Sequence, residues 1–230
     1  MHRSSPAITA LTAGFCRIQV APHLQAAQDI CRRHGVLFIA DEVVTGFGRT
    51  GHWFASGRFG LDPDLILCAK GISSGYMPLG AVLINERVAT PFWPGDSATI
   101  FNHGYTHSGH ATAVAAALAN LDYLADHDLL AAARCIEAEL PELLDPLVEI
   151  PVVESVRTGP GALAAVQLDP RRFSADPSFA TRTIAAVCEA GVLTRVMSCG
   201  ALQISPTLAI SAFELDELVD RLRTGLRSLG

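Results

Sequence analysis

Two short apolar runs constrain the fold of this chain more than any other feature: Val36-Leu-Phe-Ile-Ala and Leu65-Ile-Leu-Cys-Ala. Unbroken apolar runs of this length suit strands buried on both faces, the usual state of a parallel sheet. Roughly two dozen residues lie between them, enough for a crossover, so the spacing predicts parallel pairing. A helix over Gln25–Arg33, stopped by Gly35, precedes the first run. A third run, Leu79 to Ile84, starts within about ten residues of the second, too soon for a crossover, and is expected to be antiparallel.

Ser108 is placed to cap a long Ala-rich helix from Gly109 to about Ala125, and the pattern changes after Asp126. A helix over 129–140 is expected to stop near Pro141, followed by strands at Val152–Val156 and Ala162–Leu168. Helix 177–190 ends at Gly191, and the stretch from Gly200 to Pro206 leads to an amphipathic helix, Glu214–Leu226. The expected architecture is an α/β unit over residues 1–126 with a mostly parallel sheet, then a smaller α+β unit over 127–230.

The chain contains one lysine, Lys70, among 17 basic residues. It ends the second apolar run. Burial disfavours the ammonium form, so a lysine in a dry setting is a candidate nucleophile for Schiff-base chemistry with a carbonyl cofactor. An ordinary solvent-facing lysine at a strand end is the competing reading. A net charge of −6 without a basic cluster argues against nucleic acid and anionic membranes as partners. Half the residues are hydrophobic, but no apolar run reaches the length of a membrane helix. The N-terminus makes a poor signal peptide. Six cysteines, at positions 16, 31, 68, 135, 188 and 199, show no close pairing and read as reduced, which points to a cytoplasmic protein.

If the first two strands are parallel, Asp41 and Lys70 both lie at strand carboxyl ends, the edge at which open α/β sheets bind ligands. They could form a plain ion pair. They are also the two groups that pyridoxal phosphate needs from a protein: an amine to hold its aldehyde, and an acid to keep its ring nitrogen protonated.

Three stretches sharpen this choice. Ile39-Ala-Asp-Glu-Val-Val-Thr-Gly-Phe-Gly-Arg-Thr-Gly51, Asp62-Pro-Asp-Leu-Ile-Leu-Cys-Ala-Lys-Gly-Ile-Ser-Ser-Gly-Tyr-Met-Pro-Leu-Gly-Ala-Val82 and Asn102-His-Gly-Tyr-Thr-His-Ser-Gly-His110 resemble the class III (omega or ornithine-type) aminotransferases, in order and in spacing. The resemblance runs from about Pro22 to the C-terminus. It implies fold type I, with pyridoxal 5'-phosphate as cofactor and amino transfer from an amine or omega-amino acid to a keto acid. By the same resemblance Lys70 is the Schiff-base lysine and proton shuttle, Asp41 pairs with the pyridinium, and Val43 packs on the ring. Thr106 binds the cofactor phosphate of a neighbouring subunit, which implies a homodimer. Gly191-Val-Leu-Thr-Arg195 and Leu202-Gln-Ile-Ser-Pro-Thr207 look like the C-terminal segment of the omega-amino-acid:pyruvate enzymes, and Arg195 would then pair with a substrate carboxylate.

Two other patterns are weaker. Gly46-Phe-Gly-Arg-Thr-Gly51 matches a dinucleotide fingerprint but follows its strand too late and opens no convincing helix. His103, His107 and His110 occur in a Gly-rich stretch without a carboxylate, a poor zinc site. The resemblance covers only the C-terminal half of a class III enzyme, making 1–126 the rear of the cofactor-binding domain and 127–230 the small domain. The Gly-Ser phosphate loop and the aromatic residue stacked on the ring belong to the front half. The first twenty residues do not resemble the family. The strand Val36–Ala40 would then lack neighbours on its outer side, and the 230 residues alone are expected to bind cofactor weakly. The alternatives are aminomutase or epimerase chemistry on the same scaffold, or a non-enzymatic remnant that binds a partner.

Overall fold

The computed structural model describes residues 7–10, 21–93 and 100–230. The chain divides into two compact units, with the boundary between Asp128 and Leu129.

In the first unit, strand β1 (Ala7–Ala10) is followed by helix α1 (Ala21–Arg33), β2 (Leu37–Asp41), the short helix α2 (Ala55–Arg58), β3 (Leu65–Cys68), β4 (Ala81–Ile84), the short helix α3 (Glu86–Ala89) and helix α4 (Ala111–Asp126). The sheet order is β1-β2-β3-β4. β2 and β3 are parallel and β4 is antiparallel to β3, as the run spacings predict, and β1 is parallel to β2. The outer edge of β2 is not bare, however. β1 pairs with it from Ala7↔Leu37 to Ala10↔Ala40, a strand the sequence reading had not recognised.

Helix α1 ends where Gly35 takes a left-handed conformation, φ 65°. Val36 N–H then reaches Cys31 O at 2.9 Å and Gly35 N–H reaches Arg32 O, the paired bonds of a Schellman cap. Leu24 and Cys31 of α1 pack on Phe38 and Ala40 of β2 together with Leu61. Only alternate residues of β2 are buried, so this strand is covered on one face rather than both. The reason is local: α1 covers the Phe38 and Ala40 side, while Leu37 and Ile39 remain only partly buried.

The amino ends of the strands are held by Asp64. Its Oδ2 accepts from Phe38 N–H at 2.9 Å, and its Oδ1 accepts from Asn85 Nδ2 and from Arg87 Nε, each at 3.0 Å. One carboxylate thus joins the starts of β2 and β3 to the residues leaving β4. Burial alone would push the Asp64 carboxyl up. The Phe38 N–H, Arg87 and Asn85 outweigh it and hold the group below the usual carboxylate range.

Helix α4 begins later than expected. Its N-cap is His110, whose Nδ1 accepts from Ala113 N–H, not Ser108. Gly109 is left-handed at φ 71°, which prevents the helix from starting earlier. Ser108 instead turns its Oγ back to accept from Tyr105 N–H at 3.0 Å.

The second unit contains helix α5 (Leu129–Leu144), strands β5 (Val153–Thr158) and β6 (Ala164–Leu168), the short helix α6 (Pro170–Ala175), helix α7 (Phe179–Glu189), β7 (Ala201–Ile204) and helix α8 (Ala212–Arg227). β5, β6 and β7 form an antiparallel sheet in that order. Pro141 lies inside α5 instead of ending it. It falls in the last turn, where burial of Leu140 and Leu144, four residues apart on one stripe, outweighs one lost backbone bond. Ser211 and Glu214 close a capping box on α8. Leu215, Val219, Leu222 and Leu226 form that helix's buried stripe. Among the described cysteines, 31, 68, 135 and 188 are free thiols, but Cys199 is disulfide-bonded, against the expectation of reduced thiols throughout. Cys16 and the rest of the segments 1–6 and 11–20 lie outside the described residues.

Two outcomes follow for stability. A Cβ on Gly225 would lie 2.8 Å from Val187 Cα and 2.9 Å from Ala186 O, both backbone atoms of the α7 contact. Gly225→Ala should therefore cost about 1–3 kcal/mol by overpacking, read as a lower urea midpoint. Because the Asp64 pKa is depressed in the folded state, its contribution is complete above about pH 4 and is lost as pH falls through the lowered value. Asp64→Asn should flatten the acid limb of a plot of thermal midpoint against pH between about 2 and 5.

Candidate active site

The parallel register places Asp41 opposite Leu67, three residues before Lys70, so both chemistry-bearing residues leave the sheet at its carboxyl edge. Asp41 Oδ1 accepts from Val43 N–H at 3.2 Å, a short Asx-type turn that fixes the carboxylate at the strand end. Val43 is partly buried. Among the described residues neither Asp41 nor Lys70 forms an ion pair. The two groups do not neutralise each other.

Lys70 is exposed, not buried in the dry setting expected from the apolar run. The strand ends at Cys68, and Lys70 opens a 3-10 turn, Lys70–Ile72, with φ 46°. A left-handed conformation costs a non-glycine residue roughly 1–3 kcal/mol and persists only where neighbours over-determine it. Here they do. Asn120 of α4 donates through Nδ2 to Gly71 O at 2.9 Å and to Ile72 O at 3.2 Å. Ser73 Oγ donates to Met77 O at 2.6 Å. Gly71 packs so closely on Phe47 that a Cβ there would lie 2.9 Å from Phe47 Cβ.

Phe47 is in turn held by Glu42. This side chain is fully buried, and its carboxylate accepts from Ala55 N–H at 2.6 Å, Ser56 N–H at 2.7 Å and Thr45 Oγ1 at 2.9 Å. Phe54, the N-cap of α2, has no capping side chain, and Glu42, the residue after β2, takes that role. The chain between them folds back on itself through Phe47 N–H to Trp53 O and Gly48 N–H to His52 O. Phe47 and Phe54 meet edge to face with centroids 5.3 Å apart. The Gly46–Gly51 pattern is therefore a loop wrapped around a buried carboxylate. Gly46 is needed because a Cβ would lie 2.9 Å from Glu42 O. Burial pulls the Arg49 guanidinium down to about 10, so it stays charged at neutral pH.

Thr106 is exposed in the turn that precedes α4. In the second unit Arg195 is also exposed, and its Nε donates to Gln203 Oε1 at 2.7 Å. Arg195 and Gln203 line a cavity of about 390 Å³ together with Thr194 and Ser205.

Comparison with known proteins decides the family. The class-III aminotransferase family matches residues 12–226. The chain belongs to the class-III aminotransferases. An uncharacterised aminotransferase of Sinorhizobium fredii is 37% identical over 213 residues, covering 89% of this chain and 45% of its own length. An omega-aminotransferase of Caulobacter vibrioides is 35% identical, covering 92% of this chain and 48% of its own. The crystal structure of an amine transaminase from an uncultivated Pseudomonas species, in its PLP-bound form, superposes with a TM-score of 0.82 at 39% identity over 91% of this chain and 48% of that one. The chain spans about half the length of the relatives it matches, and its fold is that of these fold-type-I transaminases. The match begins at residue 12, so part of the first twenty residues, set outside the family by their motifs, belongs to it.

Within this class-III chain, sequence reasoning missed Glu42, Phe47 and Asn120. Glu42 stood beside Asp41 in the quoted motif. Its role depends on donors 13 and 14 residues away, which no spacing rule signals. Glu42→Ala would leave two backbone N–H groups and a hydroxyl without their acceptor, at about 1–3 kcal/mol each where water cannot reach them. The expected result is a loss of several kcal/mol in chemical denaturation, while Glu42→Gln retains part of the network and falls between.

Proposed function

We propose that this chain is the C-terminal half of a pyridoxal-phosphate-dependent transaminase that moves an amino group from an amine or omega-amino acid to a keto acid. On this reading residues 1–126 complete the cofactor-binding domain and 127–230 form the small domain. One observation carries it: in a chain of this family, the single lysine and a carboxylate leave adjacent parallel strands at the same sheet edge, and among the described residues neither is engaged by another charged group.

The residues present fit the cofactor. Asp41 keeps acceptor capacity beyond its one bond to Val43, as a group that must hold a proton on a ring nitrogen requires. Lys70 is accessible and carries the chain's one side-chain amine. Pyridoxal phosphate, when bound, supplies an aldehyde and an electron-accepting ring. Lys70 Nζ would hold that aldehyde and, as the one side-chain amine present, would carry a proton to and from the substrate carbon. The Asp41 carboxylate would hold the proton at the ring nitrogen, and Val43 would pack against the ring. Thr106 would donate its hydroxyl and backbone N–H to the cofactor phosphate of a neighbouring subunit, and Arg195 would pair with a substrate carboxylate.

Exposed apolar side chains in the first unit support a homodimer. Val82, Leu83 and Ile84 of β4 and Val114 and Leu118 of α4 are all at least 40% exposed, and exposed apolar surface commonly marks an interface. The four free thiols fit a reducing cytoplasm, while the Cys199 disulfide counts against it. No described helix is long and apolar enough to cross a membrane.

Borohydride reduction of the cofactor-loaded, complete enzyme followed by peptide mapping should place the pyridoxyl group on Lys70. Label elsewhere overturns the assignment. Lys70→Arg should abolish turnover, because a guanidinium stays protonated and is not a nucleophile. Asp41→Asn keeps the shape and removes the charge. It should lower kcat by on the order of 10²–10³, and near-normal turnover would reduce Asp41 to a structural role.

A further inference from the structure

The segment after α7 is fastened along β7. Gln203 N–H donates to Arg195 O at 3.0 Å, Thr194 Oγ1 donates to Gln203 O, and Met197 N–H donates to Ala201 O at 2.8 Å. Val196 and Leu202 form an antiparallel bridge between them. Gly200, left-handed at φ 78°, makes the return. The Arg195 backbone is therefore bound to the same residue that its side chain meets. Gln203 Oε1 accepts from Arg195 Nε at 2.7 Å, while Gln203 Nε2 donates to Ser205 Oγ at 2.9 Å. Thr194, Arg195, Gln203 and Ser205 form the polar side of the cavity, and Val192 and Leu218 are part of its apolar wall.

A guanidinium can grip a carboxylate side-on, through Nε and one terminal nitrogen, or end-on, through both terminal nitrogens. Here Nε is already occupied. The amide that occupies it cannot rotate freely, because its own N–H₂ is held by Ser205. The terminal nitrogens have no partner among the described residues.

We infer that Gln203, backed by Ser205, is the positioning residue for Arg195: it pins the guanidinium by Nε and leaves the terminal fork for end-on binding of a substrate carboxylate at the cavity. This rests on Arg195 being the carboxylate partner proposed above. An exposed arginine on a free side chain can swing aside for a substrate that lacks a carboxylate. A tethered one disfavours that motion, so Gln203 biases the site toward keto acids and amino acids over simple amines.

The test uses the 230-residue chain labelled with ¹⁵N-arginine and titrated with pyruvate, with acetone as the ligand lacking a carboxylate. In the wild type, Arg195 should give a protected Nε–H resonance, and its terminal nitrogens should respond saturably to pyruvate and not to acetone. Gln203→Leu should lose the protected resonance and weaken pyruvate binding by about tenfold, the scale of one hydrogen bond to a charged group. Gln203→Glu keeps an acceptor for Nε, so it should retain the resonance while weakening pyruvate binding through charge repulsion. It also covers the case in which the leucine variant does not fold. An Nε–H signal unchanged in folded Gln203→Leu overturns the tether. A lost signal with unchanged pyruvate affinity overturns the positioning role and leaves the Arg195 assignment standing. Identical pyruvate titrations of wild type and Arg195→Ala overturn that assignment, and the inference with it.

Discussion

The buried carboxylate of Glu42 is the interaction on which the candidate site depends. Among the described residues it forms no ion pair; a hydroxyl and the first two N–H groups of a one-turn helix satisfy it instead. A carboxylate so placed would be costly without those donors, and the donors would be orphaned without it. This mutual need closes the loop after β2. The loop seats Phe47, Phe47 abuts Gly71, and Gly71 sets the start of the turn that carries Lys70. Asn120 adds a second hold on that turn from α4. The strained conformation of Lys70 is thus supported from two directions by groups that do no chemistry themselves.

The two edges of the first unit's sheet are built differently. At the amino edge, Asp64 is saturated by a backbone N–H, an amide and a guanidinium, and its depressed pKa reflects that arrangement. At the carboxyl edge, Glu42 is saturated but Asp41 and Lys70 are not. Charge is neutralised where it serves the fold and left available where strand ends converge, which is where open α/β sheets take their ligands. The second unit repeats this division on a smaller scale. Its interior is mostly apolar, with Phe179 among its largest buried side chains, and Thr194, Arg195, Gln203 and Ser205 supply the polar lining of a cavity.

Burial is uneven in the first unit. β2 is covered on one face, β4 is exposed along most of its length, and only Ala113, Ala117 and Leu124 of the apolar helix α4 are buried. The second unit, in contrast, buries nearly continuous stripes on α5 and α8.

Much of this was legible in the sequence because it is local or periodic. Run length and spacing determined two parallel strands and an antiparallel third, and Gly35 and Gly191 marked helix ends, since only glycine adopts those conformations without strain. Asp41 and Lys70 were found as the residues that end the apolar runs, and three linked motifs identified the family. Strand β1 went unseen because its pairing, not its composition, makes it a strand. The cap of α4 and the passage of α5 through Pro141 went against local preference, each decided by a neighbouring constraint: a left-handed Gly109 in one case, a buried leucine stripe in the other. The disulfide at Cys199, the exposure of Lys70, the Glu42 network and the tether between Gln203 and Arg195 belong to the tertiary structure alone. Each joins or withholds groups that are separated along the chain, and hydrogen-bond partners brought together by folding leave no period or spacing by which a sequence could announce them.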